Sequence, residues 1–278
     1  MRLQLTKHHG WGNDFLVAGA ADVAAVGDLA ALSRRLCDRR RGIGADGLLI
    51  MGDAPNVTAT MVLYNADGSI AEMSGNGIRC FAQAVARRDG TYGEQSILTG
   101  AGLRAVTIHA GEHPDLAEAS VDMGEISPIG EPQGWASIGA HPDRPVAHLS
   151  VGNPHTVVGV DDVRAVDLLE LGRKVPGTNL EIIEPGPDST SITMRVHERG
   201  AGITEACGTG ACASAWAAAT WGLVPSNTSE VTVHMDGGSA RVRLHQPSDG
   251  RVTLVGPAIF IGAIDLSISD LGAGSAAL

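Results

Sequence analysis

Apolar positions along the 278-residue chain fall into two rhythms. Short β-branched or aliphatic runs predict strands at Leu48 to Gly52, Thr58 to Tyr64, Ala105 to His109, Ala147 to Gly152, Ser191 to His197 and Val231 to His234. In the fifth of these, Ile192, Met194 and Val196 alternate with polar partners, the period of a strand with one buried face. Helical spacing is rarer. Leu29, Leu32 and Leu36 mark a helix over residues 28–40, and alanine-rich segments predict helices over 76–88 and 209–222. One long helix per half among many strands implies a sheet wrapped around a central helix in each half. The boundary is expected near Ala117, and the Gly- and Pro-rich stretch 128–145 reads as surface loop.

The two later helices begin alike. Glu72-Met73-Ser74-Gly75-Asn76-Gly77 and Glu205-Ala206-Cys207-Gly208-Thr209-Gly210 lie 133 residues apart, and the offset also places Met61 to Asn65 on Met194 to Glu198 and Gly44-Ala45-Asp46 on Gly177-Thr178-Asn179. At a slightly longer offset Gly12-Asn13-Asp14 meets Gly152-Asn153-Pro154. This is an internal duplication, and it predicts two domains. In each copy a small side chain able to do chemistry sits in a Gly-rich turn at a helix start, where backbone N–H groups and the helix dipole stabilise an anion. Two such turns on either side of a cleft could hold a carboxylate and present an acid-base group to each face of the adjacent carbon, the logic of a two-base racemase or epimerase.

Composition narrows the class. With 44% hydrophobic and 18% charged residues the chain is a folded globular protein, and with 3% aromatics its core is aliphatic. A net charge of −11 argues against nucleic acid and anionic membranes as partners, and the one basic run, Arg39-Arg40-Arg41, reads as a solvated helix end. No signal sequence or apolar span is evident, so a cytoplasmic location is expected. Cys37, Cys80, Cys207 and Cys212 have no zinc-ligand spacing; free thiols and no metal are expected.

Cys207 is the leading acid-base residue, since a helix N-terminus lowers a thiol's pKa and a core cysteine has no need of the Gly-Thr-Gly that follows. Ser74 in the matching place is a far weaker base; it can line an anion cradle, and it also makes a good N-cap. Glu198-Arg199 ends a strand, and Arg199 is a fork suited to a carboxylate in an otherwise acidic protein. His155, after Gly152-Asn153-Pro154, is placed to tune a thiol or relay a proton.

These segments, together with Arg41 to Gly47, Asn65 to Ser69, Ala71 to Cys80, Glu198 to Gly202 and Ala206 to Ala213, strongly resemble the diaminopimelate epimerase family over almost the whole chain. The resemblance implies an α/β (α+β) fold of two pseudo-symmetric domains, each a mixed sheet around a central helix, with the active site in the cleft between them. It assigns 1–117 plus 262–278 to one domain and 118–261 to the other. It implies cofactor-independent interconversion of L,L- and meso-diaminopimelate in lysine and peptidoglycan precursor biosynthesis, with a small amino acid as the partner and a homodimer as the expected assembly. By the same resemblance Cys207 and Ser74 form the catalytic pair, with His155 and Glu198 adjusting it. Asn13, Asn65, Asn153, Asn179 and Arg199 bind the distal end of the substrate. Gly75, Asn76, Gly208 and Thr209 supply the N–H groups for the α-carboxylate.

The chain departs from the family at Ser74, where the family's turn carries a second cysteine, and at Gly47, where some members have glutamine. Cys80 lies roughly 9 Å further along the helix and is no substitute. The serine leaves three readings open: a substitution made to trap a complex, a natural residue that relays a proton, or drift to a related racemase or dehydratase reaction.

Overall fold

The computed structural model describes residues 2–245 and 250–267. Within them the chain divides into two compact units, residues 2–117 with 258–267, and residues 118–257. Of the C-terminal segment 262–278, residues 268–278 lie outside the described residues.

The first unit contains β1 (Arg2–Gly10), β2 (Asn13–Gly19), α1 (Leu29–Cys37), β3 (Gly47–Gly52), β4 (Ala59–Asn65), β5 (Ile70–Ala71), α2 (Gly75–Asp89), β6 (Gly93–Thr99) and β7 (Gly102–Ala110). Then come β8 (Leu116–Glu125), β9 (Ser127–Pro128), β10 (Val146–Ser150), β11 (Pro154–Gly159), α3 (Leu168–Lys174), β12 (Asn179–Pro185), β13 (Ser191–Glu198), β14 (Gly202–Thr204), α4 (Gly208–Trp221), β15 (Glu230–Met235), β16 (Gly238–Leu244) and β17 (Arg251–Ser267). Residues 252–255 of β17 pair with β16, and its residues 259–267 pair with β1.

The two sheets repeat one pattern. In the first unit β1 pairs antiparallel with β2, β2 parallel with β3, β3 antiparallel with β4, β4 parallel with β6, and β6 antiparallel with β7. In the second, β10, β11, β12, β13, β15 and β16 follow the same alternation. Each sheet packs around its own helix: α2 contacts β1, β2, β3, β4 and β7, and α4 contacts β10 to β13, β15 and β16. The sequence therefore anticipates the mixed sheet around a central helix.

Both central helices are buried, by different means. Ala211, Ala213, Ala215, Ala217 and Ala218 of α4 are fully buried, and their small side chains let strands approach from every side. α2 instead encloses two polar residues. Arg79 is held by the Gly75 carbonyl, the Asn76 side-chain oxygen and the face of Trp11, and Gln83 by His8 and the Asp115 carbonyl. Each helix ends on a glycine in the left-handed region, Gly90 (φ 70°) and Gly222 (φ 73°), where a Cβ would be strained. The outer helices α1 and α3 cover a second aliphatic layer in each unit, around Leu16, Leu32, Leu36 and Leu48 in the first and Leu168, Leu180 and Ile182 in the second.

α1 stops at Cys37 rather than continuing to residue 40. The Asp38 carboxylate accepts the Arg40 and Arg41 backbone N–H groups, which turns the chain, and Arg39 swings back to pair with Asp14 and Asp46 at 2.7 Å each. The basic run is thus partly a structural clamp. No helix among the described residues is long and apolar enough to cross a membrane.

Candidate active site

Ser74 and Cys207 occupy the same backbone position in their two units. Ser74 is the N-cap of α2 (φ −140°, ψ 125°) and its Oγ accepts the Gly77 N–H at 3.0 Å. Cys207 is the N-cap of α4 (φ −129°, ψ 113°) and its Sγ accepts the Gly210 N–H at 3.3 Å. The Gly-Asn turns match as well: Gly12 and Gly152 both have φ 84°, a conformation natural to glycine, and each delivers an asparagine to a strand start. In each unit that asparagine meets the second residue of the central helix. Asn76 Nδ2 donates to Asn13 Oδ1 at 3.1 Å, and Asn153 Nδ2 donates to Thr209 Oγ1 at 3.4 Å.

Around Cys207 the side chains form a connected, buried set. Thr209 Oγ1 lies 3.4 Å from the sulfur, and the thiol also contacts Glu198, whose carboxylate accepts from Thr204. Asn153 Oδ1 meets His155 Nε2 at 2.9 Å, and His155 Nδ1 meets Glu181 Oε1 at 2.7 Å, with both His155 and Glu181 fully buried. The Arg199 backbone N–H donates to Asn179 Oδ1, while Asn179 Nδ2 donates to the Pro154 carbonyl.

The electrostatics correct one sequence-based expectation. Two helix-start interactions, from Thr209 and Gly210, do favour a thiolate, but burial opposes it more strongly and the charges of Glu198 and Glu181 add to that opposition, so the Cys207 thiol is pushed well above its ordinary range. It rests as a thiol, an acid. Burial likewise raises Glu198, against hydrogen bonds from Thr204 and Cys207. The thiol and the Glu198 carboxyl are thus hydrogen-bonded neighbours that each resist charge.

Around Ser74 the setting is different. Its hydroxyl is half-buried, and Phe15 lies beside Gly77 of the same turn. Asn13 is fixed from below, since its Nδ2 donates to Asp46 Oδ2 at 2.7 Å and Asp46 pairs with Arg39. Burial works to raise neighbouring Asp14, yet hydrogen bonds and charge from Arg39 and Lys7 hold it below the usual carboxylate range. Gly47 also has a packing reason here: a Cβ would come within 2.9 Å of the Tyr64 carbonyl and 3.2 Å of the Phe15 ring.

The structure thus gathers Cys207, His155, Glu198, Asn153, Asn179, Gly208 and Thr209 in one unit, and Ser74, Gly75, Asn76 and Asn13 in the other. Asn65 sits half-buried at the end of β4 and donates to Ser69 Oγ at 2.9 Å. The Arg199 side chain is exposed. Cys80, buried in α2, is raised by desolvation to about 12, and Cys37, Cys207 and Cys212 are buried as well. Glu181, Asp46 and Arg79 were not singled out from the sequence. The signal for Glu181 was an acidic residue inside the apolar run Leu180 to Ile183, since a charge in a buried strand needs a partner.

Known proteins resemble this chain over most of its length. A family model described as diaminopimelate epimerase matches residues 5–129 and 148–261. The diaminopimelate epimerase of Moorella thermoacetica is 38% identical over 275 residues, covering 92% of this chain and 96% of that protein. That of Synechococcus elongatus is 37% identical over 296 residues, covering 96% and 100%. Among solved structures, a phenazine biosynthesis protein of the PhzF family from Bacillus anthracis superposes with a TM-score of 0.73 at 14% identity, over 96% of this chain and 100% of that one. A hydroxyproline epimerase from Agrobacterium vitis gives 0.64 at 15%, over 95% and 91%; at such identity these two establish the fold. With the family model spanning most of its length and relatives above one-third identity over nearly all of it, this chain belongs to the diaminopimelate epimerase family.

Proposed function

We propose that the chain is an isomerase that interconverts L,L- and meso-diaminopimelate by proton transfer at the α-carbon, with Cys207 as the acid-base group on one face and the Ser74 turn on the other. The observation that carries this reading is the duplicated helix-capping turn, with Cys207 and Ser74 in one backbone conformation, in a chain of this family.

Removing an α-proton from an amino acid leaves charge that must be taken up by the α-carboxylate. In this reading the N–H groups at Gly75-Asn76 and Gly208-Thr209 receive it, as fixed dipoles aimed at the developing enediolate. The resting thiol is ready to donate. To act as base it passes its proton to Glu198, a step favoured when the substrate ammonium enters a region already holding the negative charges of Glu181 and Glu198. Because Glu198 must be ionised to take that proton and burial raises it, exchange that starts from Cys207 falls as pH drops through the raised range of Glu198. Asn13, Asn65, Asn153, Asn179 and Arg199 hold the distal end of the substrate. Exposed Arg199 supplies a planar pair of donors to the second carboxylate, so Arg199→Lys raises KM several-fold, on the order of 1 kcal/mol or more of binding.

The test is α-proton exchange in deuterated water, followed by NMR, with diaminopimelate, hydroxyproline and histidine side by side. Exchange confined to diaminopimelate supports the reading; exchange with either of the others and not with diaminopimelate overturns it. A second reading, motivated by the weakly basic hydroxyl of Ser74, is a protein that binds the substrate without turning it over. Calorimetric binding of diaminopimelate in the absence of any exchange would favour it.

A further inference from the structure

Glu181 is a carboxylate with no exposed surface, and one of its oxygens, Oε2, has no hydrogen-bond partner. Leaving a buried carboxylate oxygen unpaired is costly, so the residue must contribute something beyond packing. A charge is not needed to fill this position. In β2 and β3 Val17 pairs with Leu49, and in β11 and β12 Val157 pairs with Glu181, so the first unit fills the equivalent place with a fully buried leucine.

The carboxylate is aimed at the α4 turn. A Cβ on Gly210 would stand 2.6 Å from Glu181 Oε1 and 3.3 Å from Cys207 Sγ, so glycine is what lets the carboxylate and the thiol flank the same point. Oε1 bonds His155 Nδ1, and from there donor and acceptor roles follow in one direction. Asn153 turns its Nδ2 to Thr209, so its Oδ1 accepts from His155 Nε2–H. The bond between Nδ1 and Oε1 then holds a second proton, shared by imidazole and carboxylate. Thr209 Oγ1, already accepting from Asn153, is left with its own hydrogen to give to the sulfur.

We infer that Glu181 is a positioning residue for the reaction, fixing through His155 the direction of a hydrogen-bond chain, His155 to Asn153 to Thr209, that ends with a hydroxyl donated to Cys207. The inference rests on the proposed role of Cys207. Its effect is that the oriented hydroxyl steadies the thiolate when it forms. The titratable groups facing the sulfur are Glu181 from β12, Glu198 from β13 and, one step removed, His155 from β11; α4 contributes the Thr209 hydroxyl and the Gly210 N–H.

Two variants of the full chain separate a kept partner for His155 from a lost one. Glu181→Gln loses the charge but can donate its amide to Nδ1, which keeps Nε2–H directed at Asn153. Glu181→Leu, the first unit's own solution, removes the partner altogether. The readouts are thiolate absorbance of substrate-free protein against pH, taken as a difference from Cys207→Ser, and kcat and KM for exchange with diaminopimelate. The expected result is a Cys207 titration moved to higher pH in Glu181→Leu, and in Glu181→Gln a smaller move with a smaller loss of kcat. In Glu181→Leu kcat falls roughly 10- to 100-fold, the worth of one hydrogen bond to a charged group, while KM changes little. The inference is overturned if the Cys207 titration of folded Glu181→Leu coincides with the parent's, or if folded Glu181→Leu keeps the parent kcat. Should Glu181→Leu not fold, Thr209→Val, which removes the donated hydroxyl alone, decides by the same titration: a move to higher pH supports the inference and a curve that coincides with the parent's overturns it. Since that titration uses no substrate, its outcome is distinct from a failure of the proposed reaction, which shows as a parent protein with no exchange.

Discussion

Ser74 and Cys207 cap their helices in the same backbone conformation, yet the residues packed behind them are of opposite character. Behind Ser74 lie the Phe15 ring and, one turn into α2, a fully buried Arg79; Ser74 Oγ meets only the Gly77 N–H among the described residues. Behind Cys207 lie Glu181, Glu198 and His155, and the residue at the place of Arg79 is a buried cysteine, Cys212. Even the bridging asparagines run in opposite senses: Asn13 presents its oxygen to α2 because Asp46 takes its amide N–H, and Asn153 presents its amide N–H to α4 because His155 takes its oxygen. Duplication thus preserved what the main chain does, opening a helix toward an anion, while the side chains that decide proton affinity diverged.

That contrast can be broken most sharply at Cys207. Cys207→Ala is expected to lower α-proton exchange by about 1,000-fold or more, within the range assigned to a positioned acid-base group, with thermal unfolding nearly unchanged. Near-normal exchange would remove the two-base reading. Ser74→Cys should act in the other direction, raising turnover about tenfold or more by giving the apolar side a group that can take a proton. Unchanged or lower turnover, measured by the same NMR assay, would mean that the hydroxyl works in a relay of its own.

The matching glycines offer a comparison in stability. Gly77→Ala meets Ser74 Cβ at 3.1 Å and Phe15 at 3.5 Å, and the gain in helix propensity of about 1 kcal/mol roughly offsets the crowding. Gly210→Ala meets the Glu181 carboxylate at 2.6 Å, so denaturant unfolding should show a loss of about 1–3 kcal/mol and exchange should fall with it. Equal effects from the two would indicate that the carboxylate yields freely and is not held in place.

The smallest expected effect concerns pH. Cys80 is raised by burial from 9.0 to about 12, so the unfolded chain ionises this thiol before the folded one does. Its contribution to stability is complete below pH 9 and is lost as pH rises toward 12. Cys80→Ala should flatten the alkaline decline in melting temperature; an identical decline would assign it to other groups.

How much of this could be read from the chain differed by kind of feature. The Gly-rich turns, the two central helices and the β-branched strands were legible because turn chemistry and apolar periodicity are local. Strands such as β1, with Thr6-Lys7-His8-His9, and β17, with Gly256-Pro257 within it, were not, since their pairing partners are distant in sequence and their composition is mixed. Ser74 and Cys207 stand at the two helix starts that their motifs predict. Glu181, Asp46 and Arg79 were missed because their roles depend on which strand places them behind a turn. The thiol was expected to be lowered by its helix, a local effect, and is raised instead by burial and by carboxylates from two other strands.

In the proposed reaction one side of the substrate carbon meets a titrating thiol and the other a hydroxyl that has no titrating partner among the described residues. The most direct measurement is the rate of solvent-deuterium exchange starting separately from L,L- and from meso-diaminopimelate, in this chain and in Ser74→Cys. The account predicts fast exchange from one epimer and slow exchange from the other, with the slow one accelerated by Ser74→Cys. Equal rates from both epimers, unaltered by Ser74→Cys, would contradict it.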